Sequence, residues 1–190
     1  MVAALAANAQ NRHPQLGIIA GLNFASQTSD VDDEKSTSKS RTGLAIGVFT
    51  ELPAGKNFSI QPGLLYSSLG GHDEDQSIKV TTKFNYLMLP VLAKINLKAV
   101  NIYAGPQLGY LLNAKIKIDY NGENMEADAT KEFKRMDFFA VFGAELNLSK
   151  SIALGANYQA GLANIFKDDE YGSSYTNNNM QVSLAWKFTK

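Results

Sequence analysis

Bulky apolar residues recur at every second position in eight successive segments, and only extended strands present side chains with that period. In the first segment Leu16, Ile18, Ala20, Leu22 and Phe24 alternate with Gly17, Ile19, Gly21, Asn23 and Ala25. The second sets Leu44, Ile46, Val48 and Leu52 against Gly43, Ala45, Gly47, Phe49 and Glu51. The third runs from Phe58 to about Leu69, with Phe58, Ile60, Leu64 and Tyr66 against Ser59, Gln61, Gly63 and Ser67. The fourth, Thr82 to Leu97, is almost continuously apolar; Leu87, Leu89, Val91 and Ile95 are assigned to the bulky face and Lys94 to the other. In the fifth, Val100 to Ile118, the bulky face is Ile102, Ala104, Leu108, Tyr110, Leu112 and Ile116. Its opposite face is Asn101, Tyr103, Gly105, Gln107, Gly109, Asn113 and Lys115. The last three alternate around Met136 to Leu148, Ile152 to Leu162 and Met180 to Phe188.

Segments of this length exceed the roughly five or six residues usual for strands of soluble domains. They match the roughly 9–11 residues a tilted strand needs to cross a bilayer. The faces decide the class. A soluble barrel packs its bulky apolar face inside. Here the second face carries Gly, Ala, Ser, Asn, Gln and a few charges, which suit a narrow interior, and the bulky face suits lipid. Strands in hydrocarbon cannot leave an edge unpaired, so the sheet must close. The expected fold is all-β: an eight-stranded antiparallel up-and-down transmembrane β-barrel over residues 10–190.

Composition removes other classes. The chain has no Cys, which excludes disulfide scaffolds, zinc–cysteine sites and thiol nucleophiles. Eighteen basic residues balance eighteen acidic ones, so no basic excess points to nucleic acid. No run reaches the roughly 20 apolar residues of a spanning helix. Ala7-Asn8-Ala9 before Gln10 is the small-x-small pattern that precedes a signal-peptidase cut. Residues 1–9 are therefore expected to be a signal-peptide remnant, with an Ala-rich tail as the alternative.

Connections alternate in length. Short links fall at Pro53–Asn57, near Asn96–Ala99, and at Ser149–Ser151. Long ones fall at Ser26–Ser40, Gly70–Lys79, Asp119–Glu132 and Ile165–Asn178. Long external loops and short periplasmic turns are the outer-membrane arrangement. The long links hold fifteen of the eighteen acidic residues and five of the basic ones, so one end is expected to be acidic and the other mildly basic.

Several of these stretches resemble the PorT-like outer-membrane β-barrel domain family, related in architecture to OmpA- and OmpX-type barrels. The residues carrying the resemblance are GIIAGLNFAS (17–26), SIQPGLLYS (59–67), NYLMLPVLAKI (85–95), IYAGPQLGYLL (102–112), DFFAVFGAELNL (137–148) and QVSLAWKF (181–188). The most specific are the YLxxP-type fourth strand and the AGPxxGYLL fifth. Met88 stands where the family often carries an acidic residue. The resemblance implies the barrel fold and the bacterial outer membrane. Phe188 resembles the terminal aromatic read by the barrel-assembly machinery, with Thr189 and Lys190 after it. Expected partners are thus outer-membrane lipid, that machinery during biogenesis, and an envelope protein.

Chemistry candidates are few. His13 precedes the first strand and is expected to be solvated. His72 sits in GGHDEDQ with Asp73, Glu74 and Asp75, where a cation site would need several converging oxygens. Paired with Ser67 or Ser68, His72 is also the one possible hydrolytic rim dyad, though nothing orients it. Asp30–Glu34 and Asp119–Glu123 lack calcium-loop spacing. Gly17/Gly21, Gly43/Gly47 and Gly105/Gly109 share the GxxxG spacing, which on a strand places both glycines on one face. No GxSxG, P-loop or dinucleotide fingerprint occurs. No catalytic, cofactor or metal residue is assigned.

The inward charges form the candidate site: a structural lumen network of Glu51, Lys94, Asp137, Glu145 and Lys187. Unpaired buried charge is costly, so opposite signs are expected to pair across the axis, with Asp137 nearer the outer end. Phe24, Tyr66 and Phe138 toward the loops, and Phe58, Trp186 and Phe188 toward the turns, suit interfacial girdles. The expected function is a non-catalytic outer-membrane barrel with a structural or interaction role and acidic loops. The alternatives are a narrow conduit for small or apolar solutes, or a soluble lipid-binding barrel with its bulky face around a cavity.

Overall fold

The computed structural model describes residues 13–31, 34–75, 78–120, 123–166 and 174–188. The expected signal remnant lies outside the described residues. The described residues form ten strands: β1 (Gln15–Val31), β2 (Glu34–Thr37), β3 (Lys39–Pro53), β4 (Phe58–Asp75), β5 (Ile78–Asn96), β6 (Val100–Tyr120), β7 (Glu123–Asp128), β8 (Met136–Asn147), β9 (Ile152–Gly161) and β10 (Ser174–Lys187). Eight of them form the wall in the order β10-β9-β8-β6-β5-β4-β3-β1, and β1 also pairs with β10, which closes the ring. Every neighbouring pair is antiparallel and consecutive around the wall. The short strands β2 and β7 pair with β1 and β6 at the outer end.

The alternation is turned inside out, as the sequence demands. Leu16, Leu44, Ile46, Phe142 and Leu184 are exposed on the wall's outer surface, while Asn23, Lys94, Gln159 and Gln181 are buried inside. The soluble-barrel alternative needs the opposite facing. From Leu16 to Phe24 the apolar band covers about 26 Å of strand, or about 20 Å once tilted by about 40°. Phe24, Tyr66 and Phe138 are exposed near one rim, and Phe58, Trp186 and Phe188 near the other.

Three features depart from the sequence expectations. The first three long links are chiefly strand. β1 continues to Val31, β4 to Asp75 and β6 to Tyr120, so hairpins rise beyond the girdle instead of loose loops. Their polar alternation had masked a strand period that is plain once apolar residues mark it. Gly70 marks where β4 starts this rise: its φ of 136° disfavours any side chain, and a Cβ there would meet the Thr82 carbonyl.

Second, the parity of β6 slips. Asn85 pairs with Asn113 but Tyr86 with Leu111, so Leu112 is an extra residue in the ladder. Beyond that bulge Ala114 is buried and Lys115 is exposed, and Ile116 packs inward. Asn113 and Lys115 were expected inside and Ile116 outside; one inserted residue exchanges the faces.

Third, the lumen is not polar throughout. Its outer half is an apolar core of Leu65, Leu69, Phe84, Tyr86, Met88 and Leu111, joined by Phe133 and Ile165 from the outer connections. Phe84, Tyr86 and Met88 occupy the inner face of β5 while Leu87 and Leu89 hold the outer, which explains why this strand reads as continuously apolar.

Candidate functional site

The closed ring sets where the inward charges meet. Glu51, Lys94, Glu145 and Lys187 stand on β3, β5, β8 and β10, every second strand of the eight, near the turn end. Their signs therefore alternate around the axis. Lys94 Nζ lies 2.6 Å from Glu145 Oε1 and 3.2 Å from Glu51 Oε2. Lys187 Nζ lies 3.0 Å from Glu145 Oε1 and 3.5 Å from Glu51 Oε2. Each ammonium thus bridges both carboxylates, and the ring is neutral.

Neighbours complete its hydrogen bonding. Ser59 Oγ donates to Glu51 Oε1 at 3.0 Å, Asn101 Nδ2 to Glu145 Oε1 at 2.8 Å, and Lys94 Nζ to Gln61 Oε1 at 3.0 Å. Lys94 is 0% exposed, so the ring is out of bulk water on its inner side. Full pairing is what offsets the several kcal/mol it costs to desolvate each ion. Below it a polar vestibule of about 490 Å³, lined by Asn96, Lys98, Asn147 and Lys150, opens at the turn end.

Asp137 stands apart. It lies eight residues from Glu145 on β8, about 26 Å along the strand. Its carboxylate accepts hydrogen bonds from Asn177 Nδ2 at 3.1 Å, Tyr86 Oη at 3.3 Å and the Phe138 amide at 2.8 Å. The five inward charges are thus two sites, a four-membered ring and a hydrogen-bonded carboxylate under the outer core.

Above Asp137 an aromatic plug fills the mouth. Phe84 meets Phe133 edge-on at 4.8 Å between centroids, Phe133 meets Phe166 at 4.7 Å, and Phe166 meets Tyr175 at 4.7 Å. The outer connections are tied down by Lys134 N donating to Ile165 O at 2.7 Å and Ile165 N to Tyr175 O at 2.9 Å. Between plug and ring, side-chain amides bridge the bore. Gln107 Nε2 donates to Gln159 Oε1 at 3.2 Å, and Gln159 Nε2 to Gln181 Oε1 at 2.6 Å. A cavity of about 40 Å³ lies there.

The remaining candidates do not assemble. His72 and Glu74 share one face of β4 and Asp73 takes the other; Glu74 pairs with Lys39 at 3.7 Å. Among the described residues no group of three His, Cys, Asp or Glu could hold a metal. Ser67 and Ser68 lie about 13–16 Å along the strand from His72 and bond to Asn23 and Arg41 instead. His13 is exposed before β1. The outer end also carries Lys83, Lys115, Lys117, Lys134 and Arg135, which temper the acidity counted from the links alone.

The plug was missed from sequence. Phe133, Ile165 and Phe166 in otherwise polar links were the signal that could have revealed it.

A closed eight-stranded wall with its bulky face outward is the architecture of an outer-membrane barrel, and comparison with known proteins agrees. The family described as outer membrane protein beta-barrel domain matches residues 8–167. The chain belongs to this family. It is an outer-membrane β-barrel of the bacterial envelope. Among solved structures it is similar to Ail, the attachment invasion locus protein of Yersinia pestis, at 13% identity and a TM-score of 0.53, covering 93% of this chain and 100% of Ail. It is likewise similar to Neisserial surface protein A at 10% identity and a TM-score of 0.56, again covering 93% and 100%. At such identities the likeness is one of fold. No curated protein matches the chain.

Proposed function

We propose that this barrel is non-catalytic and sealed, and that it serves the envelope through its wall and its outer extensions rather than through a pore. The observation carrying this reading is the lumen. Between an aromatic plug above and an ion ring below lies a cavity of about 40 Å³. A conduit for hydrated solutes would need a continuous polar bore, and Phe84, Phe133 and Phe139 lie across it at 2% exposure or less.

The proposed partners are outer-membrane lipid along the apolar band, the barrel-assembly machinery during insertion, and an envelope protein at the outer end; nucleic acid is not among them. Ail has been crystallised with the heparin analogue sucrose octasulfate.

Conductance in a planar bilayer tests the reading. The folded chain, verified by faster migration of unboiled samples, is expected to give no current steps. Steady unitary steps would replace the sealed barrel with a channel.

A further inference from the structure

The lipid-facing wall carries a groove across β9, β10, β1 and β3. Strand registers set Val48, Ile18, Trp186 and Ile152 in one outward row, and Ile46, Ala20 and Leu184 in the next. Ala20 is the small member of the pattern. Ile18 and Leu22 border it along β1, and Ile46 and Leu184 border it across the sheet. The pit reaches the main chain of Ile19, Gly47 and Ala185 and opens as a groove of about 520 Å³. Ile19 and Ala185 turn their side chains into the barrel, so the groove's side walls are hydrocarbon apart from the Trp186 indole nitrogen.

Depth, width and charge define the occupant. Ile18 and Ala20 lie in the turn half of the apolar band that begins at Leu16, so the groove faces the periplasmic leaflet. The strands that flank β1 stand about 10 Å apart, which admits one hydrocarbon chain and excludes an α-helix of about 10–12 Å diameter. Exposed charge on the described turns is basic, from Lys56, Lys98 and Lys150, while Glu51 and Glu145 are buried in the ion ring. Lys150 lies two residues before Ile152, at the foot of the groove. We propose that the groove holds one acyl chain of an anionic phospholipid from the periplasmic leaflet, with Lys150 at its phosphate.

The two parts of the lipid are held by different physics. Lipid tails are as apolar as leucine, so a seated chain gains contacts with the walls of the pit rather than release from water. The headgroup gains from the lysine, because a basic residue at the membrane surface attracts anionic lipid. A second copy of this chain fits poorly, since a two-fold contact centred on Ala20 would set pit against pit and leave the space unfilled. The inference rests on the lipid contact proposed above and narrows it to one site. It holds whether or not the lumen conducts.

Trp186 is the chain's single tryptophan, so its fluorescence reports on this groove. The test titrates phosphatidylglycerol with brominated acyl chains, which quench tryptophan on contact, into the folded barrel in an uncharged detergent. Quenching is expected to saturate at one lipid per barrel. Lys150→Gln is expected to raise the half-quenching concentration about fivefold, the effect of one lysine beside an anionic headgroup. Brominated phosphatidylcholine should need a similarly raised concentration with the unaltered barrel. Ala20→Leu, which fills the pit, is expected to weaken binding by a similar factor, and Lys98→Gln, in another turn, to change nothing. The gel shift of unboiled samples should be the same throughout. Quenching that grows without saturation, equal quenching by the two lipids, or indifference to Ala20→Leu would overturn the proposal. So would a dimer abolished by Ala20→Leu, which would make the occupant a second copy. Unsaturated quenching leaves ordinary lipid contact along the apolar band standing; no quenching at any ratio would remove that contact as well.

Discussion

The two ends of the lumen are closed by opposite chemistry. At the turn end four ionised groups meet at 2.6–3.5 Å and satisfy one another. At the outer end Phe84, Tyr86, Phe133 and Phe139 pack as the core of a soluble domain would. The difference lies in what the chain has available at each end. Turns of three or four residues cannot fold back to fill a bore, so side chains from the wall must close it, and alternate strands supply alternate signs. The long outer connections can fold inward, so apolar residues from them complete a core by the ordinary hydrophobic effect. An apolar closure tolerates a lost contact gradually. An ionic one depends on its full complement.

That contrast predicts its own failures. The largest is Lys94→Met, which leaves Glu51 and Glu145 sharing one ammonium; barrel stability in a urea titration is expected to fall by about 3–5 kcal/mol. Replacing all four together (Glu51→Gln, Lys94→Met, Glu145→Gln, Lys187→Met) is expected to recover most of that loss, since an intact neutral set has no stranded charge. A quadruple variant as weak as the single would contradict the pairing argument. Phe84→Ala at the other end is expected to cost about 3 kcal/mol in the same titration, because the neighbours of a core site collapse partly into the space. Equal losses from Phe84→Ala and from an exposed residue such as Leu44 would remove the plug.

Tyr86→Phe is smaller. It removes one of three hydrogen bonds to Asp137 and one to Asn177, and is expected to cost about 1–2 kcal/mol. The smallest effect lies outside the membrane. The Lys115 ammonium holds Glu126 below the usual carboxylate range, and Glu126 in turn raises Lys115. A depressed carboxyl stabilises above its unfolded pKa and loses that contribution as pH falls through its folded one. The raised lysine stabilises below its unfolded pKa and loses the contribution as pH rises through its folded one. Protection of the β7 amides, taken relative to the intrinsic exchange rate at each pH, is therefore expected to fall on acidifying below the ordinary glutamate range and again on strong alkalinisation, with no change in barrel unfolding. Glu126→Gln should flatten the acid limb.

How much of this was legible in sequence follows the same division. The wall was readable because lipid on one side and a narrow bore on the other write a period of two, and the alternate-strand positions of Glu51, Lys94, Glu145 and Lys187 follow from that period. The slip at Leu112 was not readable, because a bulge leaves the local pattern intact and only reverses it afterwards. The plug was hidden for another reason. Phe133 and Phe166 act through long-range folding of connections whose composition looks like solvent-facing loop. The β7 edge was hidden likewise, since Glu123–Asp128 carries only two apolar residues, Met125 and Ala127.

The most direct test uses the absence of native cysteine. A single Gln159→Cys places one thiol between ring and plug, where the residue is 3% exposed. In the folded barrel a small charged thiol reagent applied from either side is expected to leave it unmodified, whereas the same thiol in unfolded chain reacts fully. Adding Phe133→Ala should admit reagent from the outer side only. Rapid modification of Gln159→Cys in the otherwise unaltered barrel, from either side, would contradict a lumen closed at both ends.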